Sequence, residues 1–288
     1  MHQIHPAVAA DWKKIITAAL IGVAVAVVVL FAGEPSSAGQ AVAAGGILLS
    51  IVVAVSCYGP AGAAILLVIC ASLTFAIENL GIATGIPFGR YHFVVGANLP
   101  HIGAVPLVVG PLYFGVGFLA WIIAATLLGE ADLHLDRDRN VMALPVIAAF
   151  VMVQWDLVMD PANSTLHRAW IWHDGGGYFG VPMSNFAGWY LTVWAVFQSW
   201  ALAIRRWPNL FARSPTSDVR LTAILLYAAI GLSQIVPYLT GANSVVVDAR
   251  GQTWRASDIR EAAVTIMALT MVPTSILALF VQLRRRTT

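Results

Sequence analysis

Residues 141–161 read VMALPVIAAFVMVQWDLVMDP. Between Val141 and Met159 the one charged side chain is Asp156, and Asp160-Pro161 follows at once. A bilayer core about 30 Å thick asks for such a run in a helix that rises about 1.5 Å per residue. Outward from it, stretches 15–31, 40–58, 60–77, 103–128, 186–204, 221–240 and 262–283 show the same character, giving about eight spans. Of 288 residues, 59% are hydrophobic and 10% charged, against roughly 25% charged in ordinary soluble domains. The mean hydropathy is +0.80. Fourteen acids and sixteen bases cannot coat a water-soluble globule of this size, which excludes a soluble enzyme, a disordered chain and a secreted disulfide scaffold. The expected fold is an all-α, polytopic transmembrane bundle forming one membrane domain over 1–288. Only helices and closed barrels satisfy their backbones in lipid, and these runs are too long for barrel strands. A net charge of +2 offers no nucleic-acid surface. Cys57 and Cys70 lie in apolar runs and read as inert core thiols.

The first span follows Lys13-Lys14 and is longer than a signal-peptide core, so it reads as an uncleaved anchor. Tyr58-Gly59-Pro60 separates the second and third spans as a tight turn with a helix-starting proline. With eight spans, eleven of the sixteen Lys and Arg fall on one side, including Lys13, Lys14, Arg137, Arg205, Arg220 and Arg285. The positive-inside rule then predicts a multi-pass protein of the cell membrane with both termini cytoplasmic. Loops 79–102 and 159–185 share the opposite, outer side. Each follows a span that ends in carboxylates and then runs into aromatic, glycine-rich sequence, whereas the remaining loops look ordinary.

Ionisable groups at membrane depth are costly and mark function by default. Three qualify: Glu78 at the end of the third span, and Asp156 and Asp160, four residues apart on one helix face. Asp160 before proline also suits a turn, and Glu78 also suits a span end reaching water. Two such aspartates repel as anions, so the pair holds one proton as an acid beside a base. Trp155, Trp170, Trp172, Tyr178, Trp189 and Tyr190 crowd the same region. They fit an interfacial belt, or ring faces around a developing cation. The histidines lack metal-binding spacing, so no metal is expected.

At these loops the sequence resembles the integral-membrane carotenoid 1,2-hydratase family, of the bisanhydrobacterioruberin and γ-carotene hydratase type. The matching residues are Glu78, Phe88-Gly89-Arg90-Tyr91, Val105-Pro106, Trp155-Asp156, Asp160-Pro161, Trp170, Trp172 and Gly176, then Tyr178 to Pro182, Asn185, Gly188 and Trp189. The resemblance spans roughly 70–200. It implies addition of water to the terminal double bond of an acyclic carotenoid ψ-end, through a tertiary carbocation and without a cofactor. One of Asp156 and Asp160 would donate the proton, and the other, or Glu78, would activate water. Trp155, Trp170, Trp172, Tyr178, Tyr91 and Trp189 would line the substrate and cation, and Arg90, His173 and Asn185 would orient the acids. The implied partners are the carotenoid, water, the lipid bilayer and other carotenoid-pathway enzymes.

Three other functions share these features. A membrane carotenoid cyclase also protonates an alkene, but an internal double bond captures the cation. A membrane prenyltransferase would use Asp156-x-x-x-Asp160 for magnesium and diphosphate and needs a second Asp-rich motif. A proton-coupled transporter would use the acids as a relay.

Overall fold

The computed structural model describes residues 37–211 and 215–287. The expected span at 15–31 lies outside them. The protein is mostly helical (71%), and five of the described helical segments are long and apolar enough to cross a membrane. Leu48, Val68, Phe150, Leu191 and Phe280 project outward, an apolar exterior suited to lipid.

Helix α1 (Ser37–Thr84) is two helices joined at Gly59, whose φ of 74° and ψ of 169° lie outside the helical region. Helix α2 (Val109–Leu127) packs beside both halves. Gly110 meets Phe75 and Ala71, and Gly115 meets Ile47 and Ser50. In a straight rod Ile47 and Phe75 would stand about 42 Å apart, yet their contacts on α2 are only about 7.5 Å apart along its axis. The chain therefore reverses at Gly59-Pro60, as the turn signal in the sequence predicts. Glycine supplies the positive φ, and the proline starts the second half.

Helix α3 (Asp138–Asp160) runs on as one π-helical turn, Pro161–Leu166. Helix α4 spans Met183–Arg206. It is long enough to cross, but Trp189, Tyr190, Trp194, Gln198 and Trp200 dilute its aliphatic character, and it is not among the five apolar segments. The stretch 221–240 is broken into α5 (Ser217–Leu232) and α6 (Ile235–Thr240). The stretch 262–283 is broken at Thr270 into α7 (Ala256–Leu269) and α8 (Met271–Thr287).

The loops depart from the all-helical expectation. Strand β1 (Tyr91–Phe93) pairs antiparallel with β4 (Trp170–Trp172), so the two aromatic loops lie on the same side, as expected. Strands β2 (His101–Ile102) and β3 (Val105–Pro106) form a small hairpin, which is why α2 begins at Val109 and not at 103. Strands β5 (Val245–Val247) and β6 (Thr253–Arg255) form a third.

The core is aromatic at its centre. Phe114, Phe118, Trp121, Phe197 and Trp200 interlock with centroids 5.3–6.2 Å apart, and Trp200 Nε1 donates to the Leu66 carbonyl at 2.9 Å. Cys57 and Cys70 are buried free thiols, as read from the sequence. At the end of the bundle opposite the aromatic loops, fully buried Arg220 donates to both oxygens of Asp132 at 2.8 and 2.9 Å. Tyr58 donates to Asp132 and accepts from Trp121 Nε1. Glu130 joins Arg285 at 2.9 Å and lies 3.6 Å from Arg220.

Candidate active site

The carboxylates end up together because α1 and α3 finish, and α2 and α4 begin, at one end of the bundle. Asp156 and Asp160 sit a helical turn apart on α3, both fully buried. The first turn of α4 delivers Asn185 between them. Its Nδ2 donates to Asp156 Oδ2 at 3.2 Å and to Asp160 Oδ2 at 2.6 Å. Trp170 Nε1 donates to Asp160 Oδ1 at 2.9 Å. Trp172 Nε1 lies close to the same carboxylate without closing a hydrogen bond. Asp156 Oδ1 is buried and accepts no hydrogen bond. The π turn directly after Asp160 adds one residue to the helical repeat, a distortion that recurs at functional sites.

Glu78, near the end of α1, is buried and accepts from Tyr91 and from Tyr113, both through their phenol oxygens. Burial and then the Glu78 charge push the Tyr91 phenol well above its ordinary value, which keeps it a donor. Glu78 is within electrostatic reach of Asp156 and Asp160. An aromatic wall follows: Tyr113 stacks on Trp189 at 4.3 Å, and Trp189 meets Trp155 edge-on at 5.9 Å. Tyr91 lies 4.9 Å from Trp172. Tyr178 donates to the Leu157 carbonyl and packs on Phe186. Burial, then the charges of Asp160 and Asp156, push its phenol up to about 12.

The structure thus gathers Glu78, Asp156, Asp160, Asn185, Tyr91, Trp155, Trp170, Trp172, Tyr178 and Trp189 in one region. Arg90 and His173 stand elsewhere. Arg90 forms an exposed ion pair with Asp174 and holds that carboxyl below its usual range. His173 Nε2 meets His92 Nδ1 at 2.7 Å, also exposed. Neither bonds a buried acid, because Arg90 and His173 stand next to the buried Tyr91–Trp172 pair along the two strands and alternation puts them on the exposed face. Tyr113 escaped sequence reading, since a tyrosine inside an apolar run carries no mark of its own. The β5–β6 hairpin, from a loop that looked ordinary, also reaches this end of the molecule. Trp254 packs on Phe179 at 5.3 Å, and Arg168 Nη2 donates to the Val247 carbonyl. Among the described residues no group of three or more His, Cys, Asp or Glu is close enough to hold a metal ion.

An apolar groove of about 760 Å³ runs between α1 and α2. Leu67, Ala71, Phe75 and Pro111 line it, and it includes Asn79, the residue after Glu78.

Gly176 fixes the loop below the site. A Cβ there would lie 2.0 Å from the Val181 backbone, whereas one on Gly177 would meet nothing within 4 Å. Gly176→Ala should therefore destabilise the protein by about 3 kcal/mol, the upper range for overpacking, while Gly177→Ala stays near wild type. Unfolding midpoints of the two variants in detergent check this.

So far these features define a helical membrane protein whose polar centre is sealed into one end of the bundle. The chain belongs to the carotenoid biosynthesis protein family, which matches residues 39–250 and takes in all of the gathered residues. Over 119 residues it is 29% identical to bisanhydrobacterioruberin hydratase of Haloarcula japonica, a stretch covering 41% of this chain and 38% of that protein. No solved structure matches the chain.

Proposed function

We propose that this protein is a carotenoid 1,2-hydratase that works without a cofactor. It adds water across the terminal double bond of an acyclic carotenoid ψ-end. The observation that carries the reading is the buried Asp156–Asn185–Asp160 bridge beside the Tyr113–Trp189–Trp155 wall. An isolated trisubstituted alkene needs a general acid at carbon 2. The tertiary cation at carbon 1 gains about 2 kcal/mol or more from a desolvated ring face. Water attacks that carbon and loses a proton to a carboxylate, leaving a tertiary alcohol. The groove between α1 and α2 suits the conjugated chain, since it is apolar and takes in Asn79, the residue after Glu78.

In the cell this reading places one membrane domain of about eight passes in the cell membrane, with α1 counted twice and both termini cytoplasmic. Substrate arrives from the bilayer, and neighbouring pathway enzymes are the expected protein partners. The prenyltransferase reading lacks the second Asp-rich motif that it needs: in the acidic cluster from Asp132 to Asp138, Asp132 is paired with Arg220 and Asp138 with Arg205. Asp138 also lies about 33 Å from Asp160 along α3.

Co-expression with an acyclic carotenoid pathway tests the proposal. Pigments heavier by one water are expected. Isomers of unchanged mass would indicate cyclisation, and unaltered pigments with proton-coupled flux in liposomes would indicate transport. Tyr113→Phe keeps the stack on Trp189 and removes one donor from Glu78. It should slow hydration about tenfold, as expected for losing a hydrogen bond to a charged group, and initial rates in membranes measure it.

A further inference from the structure

We infer that Asp156 is the proton donor and Asp160 the base that takes the proton from water, an assignment that rests on the hydratase reading. The two aspartates are alike in residue type and burial, but their hydrogen bonds differ. Asp160 receives a donor on each oxygen: Trp170 Nε1 at 2.9 Å on Oδ1 and Asn185 Nδ2 at 2.6 Å on Oδ2. Asp156 receives only the longer Asn185 contact, at 3.2 Å on Oδ2. Its other oxygen is buried without any donor.

A buried carboxylate anion depends on donors to replace water, and leaving its oxygens bare is costly. Donors on both oxygens stabilise the anion at Asp160. A bare buried oxygen is tolerated far better on a neutral carboxylic acid, whose hydroxyl is then free to point at an incoming alkene. A single proton shared by the pair therefore resides on Asp156. Glu78, with two phenol donors, is likewise furnished as an anion.

The steps balance. The O–H bond of Asp156 breaks as carbon 2 gains hydrogen, and the π pair of the terminal double bond forms the new C–H bond. Water oxygen bonds to cationic carbon 1, and Asp160 takes the water proton. Passage of that proton from Asp160 to Asp156 restores the starting state. Both Oδ2 atoms accept from the one Asn185 amide nitrogen, at 3.2 and 2.6 Å, which keeps them within 5.8 Å of each other, a gap that one water molecule bridges.

Solvent deuterium separates the roles. Membranes carrying wild type, Asp156→Asn or Asp160→Asn are incubated with lycopene in D₂O, and both hydrated product and recovered lycopene are analysed for mass. Wild-type turnover is the control for hydration itself: without hydrated product the hydratase reading fails, whatever the variants do. Given that turnover, Asp156→Asn should lower product by ~10²–10⁴-fold and leave recovered lycopene unlabelled. Asp160→Asn should lose product at least tenfold yet leave deuterium in the recovered lycopene or its double-bond isomer of equal mass, because the cation still forms and, with no water captured, sheds a hydrogen other than the delivered deuteron, either from carbon 2 after rotation or from a terminal methyl group. Trp170→Phe, a milder change at the base, should lower hydration while labelling persists. Labelling by Asp156→Asn but not by Asp160→Asn, or by neither, overturns the assignment. Unfolding midpoints accompany each variant, and Trp170→Phe carries the test if Asp160→Asn fails to fold. Loss of labelling in Trp170→Phe would then count against the assignment.

Discussion

Asp156→Asn is expected to lower hydration by ~10²–10⁴-fold, the range contributed by a positioned general acid, without lowering stability. Asparagine has nearly the same shape as aspartate, so the packing of α3 against α4 is kept. The change also removes one of two buried acids facing the same Asn185 amide. A residue retained for structure should destabilise when replaced; one retained for chemistry should leave stability unchanged or raise it while activity falls. Product yield per folded protein, measured beside an SDS-unfolding midpoint, separates the two. Normal hydration by the variant would remove Asp156 from the reaction.

The opposite signature is expected at the other end of the bundle. Arg220→Met should cost ~3–5 kcal/mol, the penalty for leaving a buried partner charge uncompensated. Asp132 would keep only the Tyr58 hydroxyl, and the cluster joining Tyr58, Trp121 and the α5 helix would loosen. Cys57, adjacent to Tyr58 and fully buried, should become accessible to thiol reagents at lower SDS than in wild type. Adding Asp132→Asn removes the second charge and should recover much of the loss, a coupling that a double-mutant cycle measures. An unchanged midpoint in Arg220→Met would show that the pair contributes nothing to stability.

These contrasting centres show what a sequence discloses. Asp156, Asp160 and Glu78 stand out because charge amid apolar residues is visible without a structure. Their i, i+4 spacing even gives the shared face. The turn at Gly59-Pro60 is legible for a similar reason: glycine and proline have local conformational meaning. Partnership over long separations is another matter. The resemblance implies an orienting role for Asn185, but its place between the two aspartates depends on how α4 packs against α3. The family resemblance implies Arg90 and His173 as orienting partners for the acids. Strand alternation sends them outward and leaves Tyr91 and Trp172 inside. Tyr113 and the β5–β6 hairpin are joined to the site solely by tertiary folding. Thr270 and the turn after Leu232 break apparent spans that hydropathy averages into continuous ones.

The Tyr91↔Trp172 pairing makes two distant chain segments share a single alignment. Because side chains alternate with a period of two, sliding either ribbon by one residue would exchange inside for outside. His92 would then enter the place of Tyr91, and Glu78 would lose a phenol while gaining an imidazole. Insertions and deletions in these loops are thus constrained by parity: a frame error of one inverts the lining, whereas an offset of two preserves which side faces inward.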